Sequence, residues 1–204
     1  MKIALFGASQ GTGKAVMQQA LAQGHTVRAL ARNPADLAPA DGLVVVVGNV
    51  LDAASTAETV RAADAVICTL GKTADNPADI VTRGTVNIIN AMQKGGVARL
   101  IVLSSIGVGD SKAMVPFYFR VLAWTVLRGV MQEKERQEAL VHQSGLQWTI
   151  VRAGGLTNGP PTGDYKHGPA QSVKAGRIAR ADVAEFLLQQ VGRDTYIRRD
   201  ASVS

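Results

Sequence analysis

Three glycines close to the start of the chain, Gly7, Gly11 and Gly13 in "ALFGASQGTGKAV" (Ala4–Val16), and the lysine directly after them, Lys14, have the composition of a phosphate-binding loop. Two chemistries use such loops. A nucleoside-triphosphate cradle requires a glycine, four residues, then Gly-Lys and a hydroxyl that holds magnesium. That pattern puts a glycine at position 8 and a serine or threonine at position 15, where the chain has Ala8 and Ala15. The loop reads instead as the turn under a dinucleotide pyrophosphate. Glycines let the backbone approach the phosphates, whose charge meets the free amides and positive end of the following helix. Ser9, Gln10 and Thr12 offer polar contacts between the glycines, although the spacing G-x-x-x-G-x-G is not the common G-x-G-x-x-G.

A second residue refines the ligand. Sites for NAD usually place an acidic residue after the second strand, where it accepts from the ribose 2'-hydroxyl. Here that stretch is "ALARNP", with Arg32 and no carboxylate before Asp36. A guanidinium at that place suits a 2'-phosphate, so the expected cofactor is NADPH. Arg28 and Lys14 read as surface charges.

These residues need a scaffold that gathers loops at one edge. Short apolar runs alternate with helical segments: "KIALF", "HTVRAL", "LVVVV" (43–47), "AVICTL" (65–70), "LIVLSS" (100–105) and "WTIV" (148–151) are the expected strands. The third, β-branched throughout, reads as a strand covered on both faces. Helices are expected over Lys14–Gln23 (stopped by Gly24), from Asp52 or Ser55 to about Ala63, and from an Asn76 cap with Pro77 to about Lys94. A long, partly helical region covers 116–143, and "RADVAEFLLQQV" forms the last long helix. "TYIRRDASVS" is expected to end in an edge strand. The pattern is that of one α/β domain over 1–204: a Rossmann-type, doubly wound parallel sheet in three layers, with substrate-side loops at 106–135 and 152–177. Its ligand edge collects the loops after residues 6, 30, 47, 70, 103 and 151.

Composition narrows the classes. The 204 residues are 47% hydrophobic, 19% charged and only 4% aromatic, as suits a globular domain rich in glycine turns. The net charge is +6, yet Lys and Arg are scattered without interleaved aromatics, so a nucleic-acid partner is not expected. The single cysteine, Cys68, excludes an internal disulfide framework and reads as a buried, inert thiol. No secretory leader is visible, and Arg120 and Arg128 interrupt the longest apolar stretch (Met114–Met131). The expectation is a cytoplasmic protein without a membrane partner, a monomer or homodimer acting on a small molecule.

The glycine loop, Arg32 and the downstream stretches "VVVGNVLD", "DAVICTLG", "GTVNIINAM", "LIVLSSIGV", "SGLQWTIVRAGGLTNGPPTGDY" and "RADVAEFLL" together resemble a known family. The chain is similar to the atypical short-chain dehydrogenase/reductases of the NAD(P)H-binding, NmrA-like group, and within it to small flavin reductases of the biliverdin reductase B kind. The resemblance implies that Ser9–Gly13 wrap the pyrophosphate and that Arg32 holds the 2'-phosphate. It implies that Asn49 and Val50 border the adenine and that Leu70 and Gly71 pass the ribose. Ser104 and Ser105 would approach the nicotinamide ribose, and Arg152, Ala153, Gly154 and Gly155 would line the nicotinamide end. The chain also departs from the family. Gln10-Gly11 replaces the central glycine pair of G-A-T-G-x-x-G, and Gly155 stands where biliverdin reductase B has a histidine near its substrate. The Tyr-x-x-x-Lys pair of many relatives is missing, since Tyr118 is followed four positions later by Leu122.

Chemistry without that pair relies on the cofactor's own hydride. A flavin or quinone acceptor can take its proton from water. Ser105 is the best candidate for a catalytic hydrogen-bond donor; capping its own strand end is the other role open to it. Lys134, where relatives carry a basic residue, either serves the ribose or substrate or pairs with Glu138 one helical turn on. His142 and His167 lack the spacing of a metal site or triad, and no metal is expected. Phe117, Phe119 and Trp124 could form a lid over a flat acceptor, or a core or dimer face. The function expected is NADPH-dependent reduction of a flat conjugated acceptor. A non-catalytic NADPH sensor of NmrA-like type is the alternative, and an epimerase or dehydratase with tightly held cofactor the third.

Overall fold

A computed structural model describes residues 1–73, 76–116 and 127–204. In chain order its elements are β1 (Lys2–Phe6), α1 (Gly11–Ala22), β2 (Thr26–Ala31), β3 (Leu43–Val47), α2 (Ala53–Val60), β4 (Ala65–Cys68), α3 (Ile80–Gly95) and β5 (Arg99–Ser105). They continue with α4 (Arg128–Gln143), β6 (Gln147–Ala153), β7 (Gly155–Thr157), β8 (His167–Pro169), β9 (Arg177–Ala179), α5 (Arg180–Gln189) and β10 (Arg199–Val203). Eight strands form one sheet in the order β3-β2-β1-β4-β5-β6-β10-β8. Every pairing in it is parallel except β10 with β8. This is the doubly wound α/β architecture that the alternation of runs implies.

Side-chain alternation along the strands builds the three layers. Ile3 and Leu5 of β1 meet Val16, Met17 and Ala20 of α1 and Val183, Ala184 and Leu187 of α5 on one face. Ala4 and Phe6 meet Val60 of α2, Ile88 and Met92 of α3 and Val141 of α4 on the other. The chain runs outward from β1 to β3, then returns to β4 on β1's other side. That reversal opens a crevice at the carboxyl ends of β1 and β4, where a ligand can reach loops from both halves.

Several elements differ from the sequence expectation. Helix α1 starts at Gly11 and not at Lys14, so the glycine loop is itself the first helical turn. Strand β3 is half-exposed because it is the sheet edge: Val44 and Val47 are 41% and 61% accessible. Asp52 caps α2 through the amides of Ala54 and Ser55, but the helix stops at Val60. Asn76 does not cap α3, whose regular turns begin at Ile80 after a turn closed by the Ile80 amide on the Pro77 carbonyl (3.2 Å). The end of α3 is as expected, with Gly96 in the left-handed conformation at φ 70°. Strand β10 is not an edge, because β8 from the 152–177 region pairs with it antiparallel. The same region supplies β7, which pairs in parallel with β9.

Candidate active site

A cleft of about 660 Å³ opens at the carboxyl edge of the sheet, lined by the loops after β1, β2, β3, β4 and β5 and by the starts of α4 and α5. Its floor is the glycine loop. Gly7 has φ +91°, and a Cβ there would stand 2.8 Å from Thr69 Oγ1. A Cβ on Gly13 would lie 1.9 Å from the Gly7 carbonyl oxygen, so only glycine lets α1 lie this close to β1. The first helical hydrogen bond runs from the Lys14 amide to the Gln10 carbonyl (3.3 Å). The amides of Gly11, Thr12 and Gly13 thus precede the helical ladder and point outward at the helix's positive end. The Thr12 hydroxyl is buried with no partner, an orphan that a phosphate oxygen would satisfy. No acidic residue occupies the first turn of α1. The loop fits a pyrophosphate: Ser9, Gln10 and Gly11 are exposed on the cleft wall, and Gly7, Thr12 and Gly13 lie beneath them.

Arg32 follows β2 and lines the same cleft. The next residue, Asn33, accepts from the Ala35 amide (3.2 Å) and caps the short 3-10 turn Pro34–Asp36, which fixes the chain direction just beyond Arg32. Among the described residues Arg32 has no ion-pair partner, although Asp36 shares the cleft wall. Asn49 and Val50 line the cleft after β3. The Asn49 side chain accepts from the Leu51 amide (3.0 Å), and the Val50 carbonyl accepts from Asn87 (2.9 Å) and Thr56 (3.2 Å). Leu70 and Gly71 line it beyond β4.

At the other end stand Ser104, Ser105 and Lys134. The Ser104 hydroxyl is buried and donates to Glu138 Oε1 (2.5 Å). Ser105 donates to the Ile106 carbonyl (3.1 Å), which is the strand-end capping role. Lys134 does not pair with Glu138. Its ammonium donates to the carbonyls of Leu70 (2.9 Å) and Leu103 (2.7 Å) and to Gln137 Oε1 (2.9 Å), bridging the ends of β4 and β5. Burial pushes its pKa down to about 8, against the opposing pull of Cys68 and Glu138. One helical turn before Lys134, also on the cleft wall, is Val130. Lys72 and Lys134 both line the cleft, and the residue four positions before Lys134 is valine, not tyrosine.

Four candidate residues do not line the cleft. Arg152 is 2% exposed and lies on the face of β6 shared by Trp148 and Ile150. Its guanidinium donates to Glu138 (3.1 and 2.8 Å), Asp200 (3.0 Å) and Asp110. Burial opposes its charge, but these carboxylates outweigh burial and raise its pKa. Ala153 is buried in the core on the opposite face. Gly154 packs on the chain end, where a Cβ would meet Ser204 Oγ at 2.6 Å, and Gly155 joins β7. The residue of this stretch that does reach the cleft is Leu156. Phe117, Tyr118, Phe119 and Trp124 lie outside the described residues.

Cys68 is buried under Gln137, and burial raises its pKa, so the thiol is inert. His142 meets Asp200 (3.0 Å) and His167 meets the Tyr196 hydroxyl (3.1 Å), both away from the cleft. Among the described residues no His, Cys, Asp or Glu cluster is placed to hold a metal, and no helix is long and apolar enough to cross a membrane. The sequence reading missed Arg180 and Asn158, and the apolar group Leu127, Val130, Met131 and Leu156. Helical spacing from Lys134 was the one signal that could have found Val130 and Met131.

Fold and cleft together define a dinucleotide-binding Rossmann protein. The profile of the NAD(P)H-binding family matches residues 7–194, and the chain belongs to that family. An uncharacterized chloroplastic protein of Arabidopsis thaliana is 30% identical over 201 residues, covering 92% of this chain and 71% of its own length. Among solved structures, ChuY, an anaerobillin reductase from Escherichia coli, superposes with TM-score 0.81 at 25% identity, covering 100% of this chain and 96% of that one. A short-chain dehydrogenase/reductase from Veillonella parvula in complex with NADP superposes with TM-score 0.83 at 18% identity, covering 100% and 94%, a likeness of fold. The cofactor class is NAD(P)H.

Proposed function

We propose that this protein is an NADPH-dependent reductase of a flat conjugated acceptor such as a flavin or quinone, built as one domain whose substrate side is formed by 106–135 and 152–177. The observation that carries this reading is the division of the cleft. At one end Arg32, with no acidic residue at the strand end before it, suits a 2'-phosphate. At the other, Leu127 just before α4, Val130 and Met131 of α4 and Leu156 of β7 form an apolar wall with Lys134 as its titratable group. The bound cofactor supplies the hydride. Among the described residues no tyrosine lines the cleft, and Val130 stands one turn before Lys134, which favours an acceptor that takes its proton from water. Lys134 holds the ends of β4 and β5 and presents positive charge near Ser105. The Escherichia coli relative described as a reductase supports the same reaction class.

The test is NADPH oxidation against a panel of FMN, quinones and simple carbonyls, with NADPH and NADH titrated into wild type and Arg32→Ala. Turnover with the flat acceptors, and an NADPH preference that Arg32→Ala removes, are expected. No turnover across the panel would sink the enzymatic reading in favour of a cofactor sensor. Equal wild-type affinity for the two cofactors would sink the role of Arg32.

A further inference from the structure

We propose that Arg180 is a second cationic contact of the cofactor site, directed at the pyrophosphate. The inference rests on the family's dinucleotide binding and deepens it. Arg180 is the first residue of α5, which packs beside α1 on the same face of the sheet. Its side chain crosses the mouth of the glycine loop: Nε lies 3.5 Å and Cδ 3.8 Å from where a Cβ on Gly11 would stand. Arg180 and Gly11 line the same cleft. Directly after Gly11 is the buried, unpartnered Thr12 hydroxyl.

Among the described residues the charge of Arg180 is not spent elsewhere. No carboxylate pairs with it among the described residues. Its side chain donates to a neutral group, from Nη1 to Asn158 Oδ1 at 2.7 Å. Asp182, the acid in the first turn of α5, faces away and is occupied by the Thr162 amide and hydroxyl (2.7 and 2.8 Å) and the Gly163 amide (3.0 Å). A guanidinium has five donors in a planar fork, so one bond to Asn158 orients it and leaves donors for phosphate oxygens. Asn158 is thus a positioning residue. It follows β7, whose Leu156 lines the acceptor end, so the same short segment touches both halves of the site.

The two arginines make separable predictions. NADPH and NADH share the pyrophosphate and differ at the 2'-position, whereas 2'-AMP carries the 2'-phosphate without a pyrophosphate. Kd values measured by calorimetry for these three ligands, on wild type, Arg180→Ala, Arg180→Lys and Arg32→Ala, resolve the assignment. Arg180→Ala should weaken NADPH and NADH by the same factor, about ten- to a hundredfold for a charged hydrogen-bond pair, and leave 2'-AMP unchanged. Arg180→Lys should recover part of the loss. Arg32→Ala should weaken NADPH and 2'-AMP and spare NADH. Unchanged NADPH and NADH binding in Arg180→Ala, with wild type binding both, would overturn the role of Arg180 alone. So would an equal loss of 2'-AMP, which would mark a general change of field or fold. Wild type binding neither dinucleotide would remove this assignment and the reading beneath it together.

Discussion

Arg152→Gln should unfold the protein more readily while leaving cofactor affinity nearly intact. The side chain is 2% exposed, and its most buried partner, the Glu138 carboxylate, is 4% exposed. Glu138 accepts three hydrogen bonds, two from Arg152 and one from Ser104. Removing the guanidinium leaves this buried carboxylate with Ser104 alone, and also strips Asp200 and Asp110 of their cation. Breaking a buried pair in this way costs about 3–5 kcal/mol, because one charge stays desolvated without compensation. For a chain of this length each kcal/mol lowers Tm by roughly 2–4 °C, so Tm should fall by about 6–20 °C. The loss should be largest near neutral pH. Burial pushes Asp110 up, but hydrogen bonds from Arg152 and Gln171 win and hold it below the ordinary carboxylate range. Its contribution is therefore present above about pH 4, the unfolded value, and disappears as pH falls through the depressed folded value. The gap between wild type and variant should narrow in that acid window.

The assay is urea denaturation and thermal unfolding at pH 7 and pH 3.5, together with NADPH titration at pH 7. A double variant, Arg152→Met with Glu138→Leu, removes both members of the buried pair and should recover stability relative to Arg152→Gln. A variant with wild-type Tm and NADPH affinity lowered tenfold or more would refute the reasoning and return Arg152 to the cofactor site.

Other perturbations probe the cleft itself. Gly13→Ala drives a methyl against the Gly7 backbone oxygen, which cannot swing aside. It should cost about 1–3 kcal/mol and abolish tight NADPH binding, whereas Gly129→Ala, with no described neighbour within 4 Å of the added methyl, should be neutral or slightly stabilising in thermal melts. Burial lowers the Lys134 pKa to about 8. A bound anion favours its charged form, so NADPH affinity should fall as pH rises through about 8, with Lys134→Met lacking that inflexion in a pH series of Kd values. Val130→Tyr fills the apolar wall and restores a phenol one turn before Lys134. It should lower kcat/KM for a flat acceptor by about tenfold, some 1.4 kcal/mol, without changing NADPH affinity, and a wild-type steady-state profile would contradict the role of Val130.

Most of the sheet was legible because each parallel strand is a local apolar run between turn signals. What escaped depends on neighbours distant in sequence. "LVVVV" has the composition of a buried strand, yet it is half-exposed because nothing pairs beyond it. The last strand looked like an edge because its cover, His167–Pro169, is three residues inside a region of loop composition. Asn76-Pro77 is a good local start signal, but α3 packs from Ile80 onward, where Ile80 and Val81 enter the core. Lys134 and Glu138 have ideal spacing for a helical pair. Each found a stronger partner off the helix, Lys134 the strand-end carbonyls and Glu138 the Arg152 guanidinium.

The two ends of the cleft differed in legibility for a physical reason. The cofactor end is made mostly of backbone: free amides at a helix start, and close approaches that only glycine permits. Such geometry must be encoded locally, so it appears as a motif within a few residues. The end proposed to take the acceptor is made of side chains from α4 and β7, whose wall residues Val130 and Leu156 are far apart in the chain and ordinary in type. Arg152 shows where a simple parity rule would have sufficed. Trp148, Ile150 and Arg152 alternate onto one face of β6, so an arginine two residues past a core isoleucine must enter the layer beneath α4. There it can survive only by meeting carboxylates, and it meets Glu138, Asp110 and Asp200. Arg180 is the converse case. Read along the chain it is one more surface cation at a helix start, and only the packing of α5 against α1 brings it over Gly11. An arginine's role here follows from which layer its Cβ faces, more than from the motif it sits in.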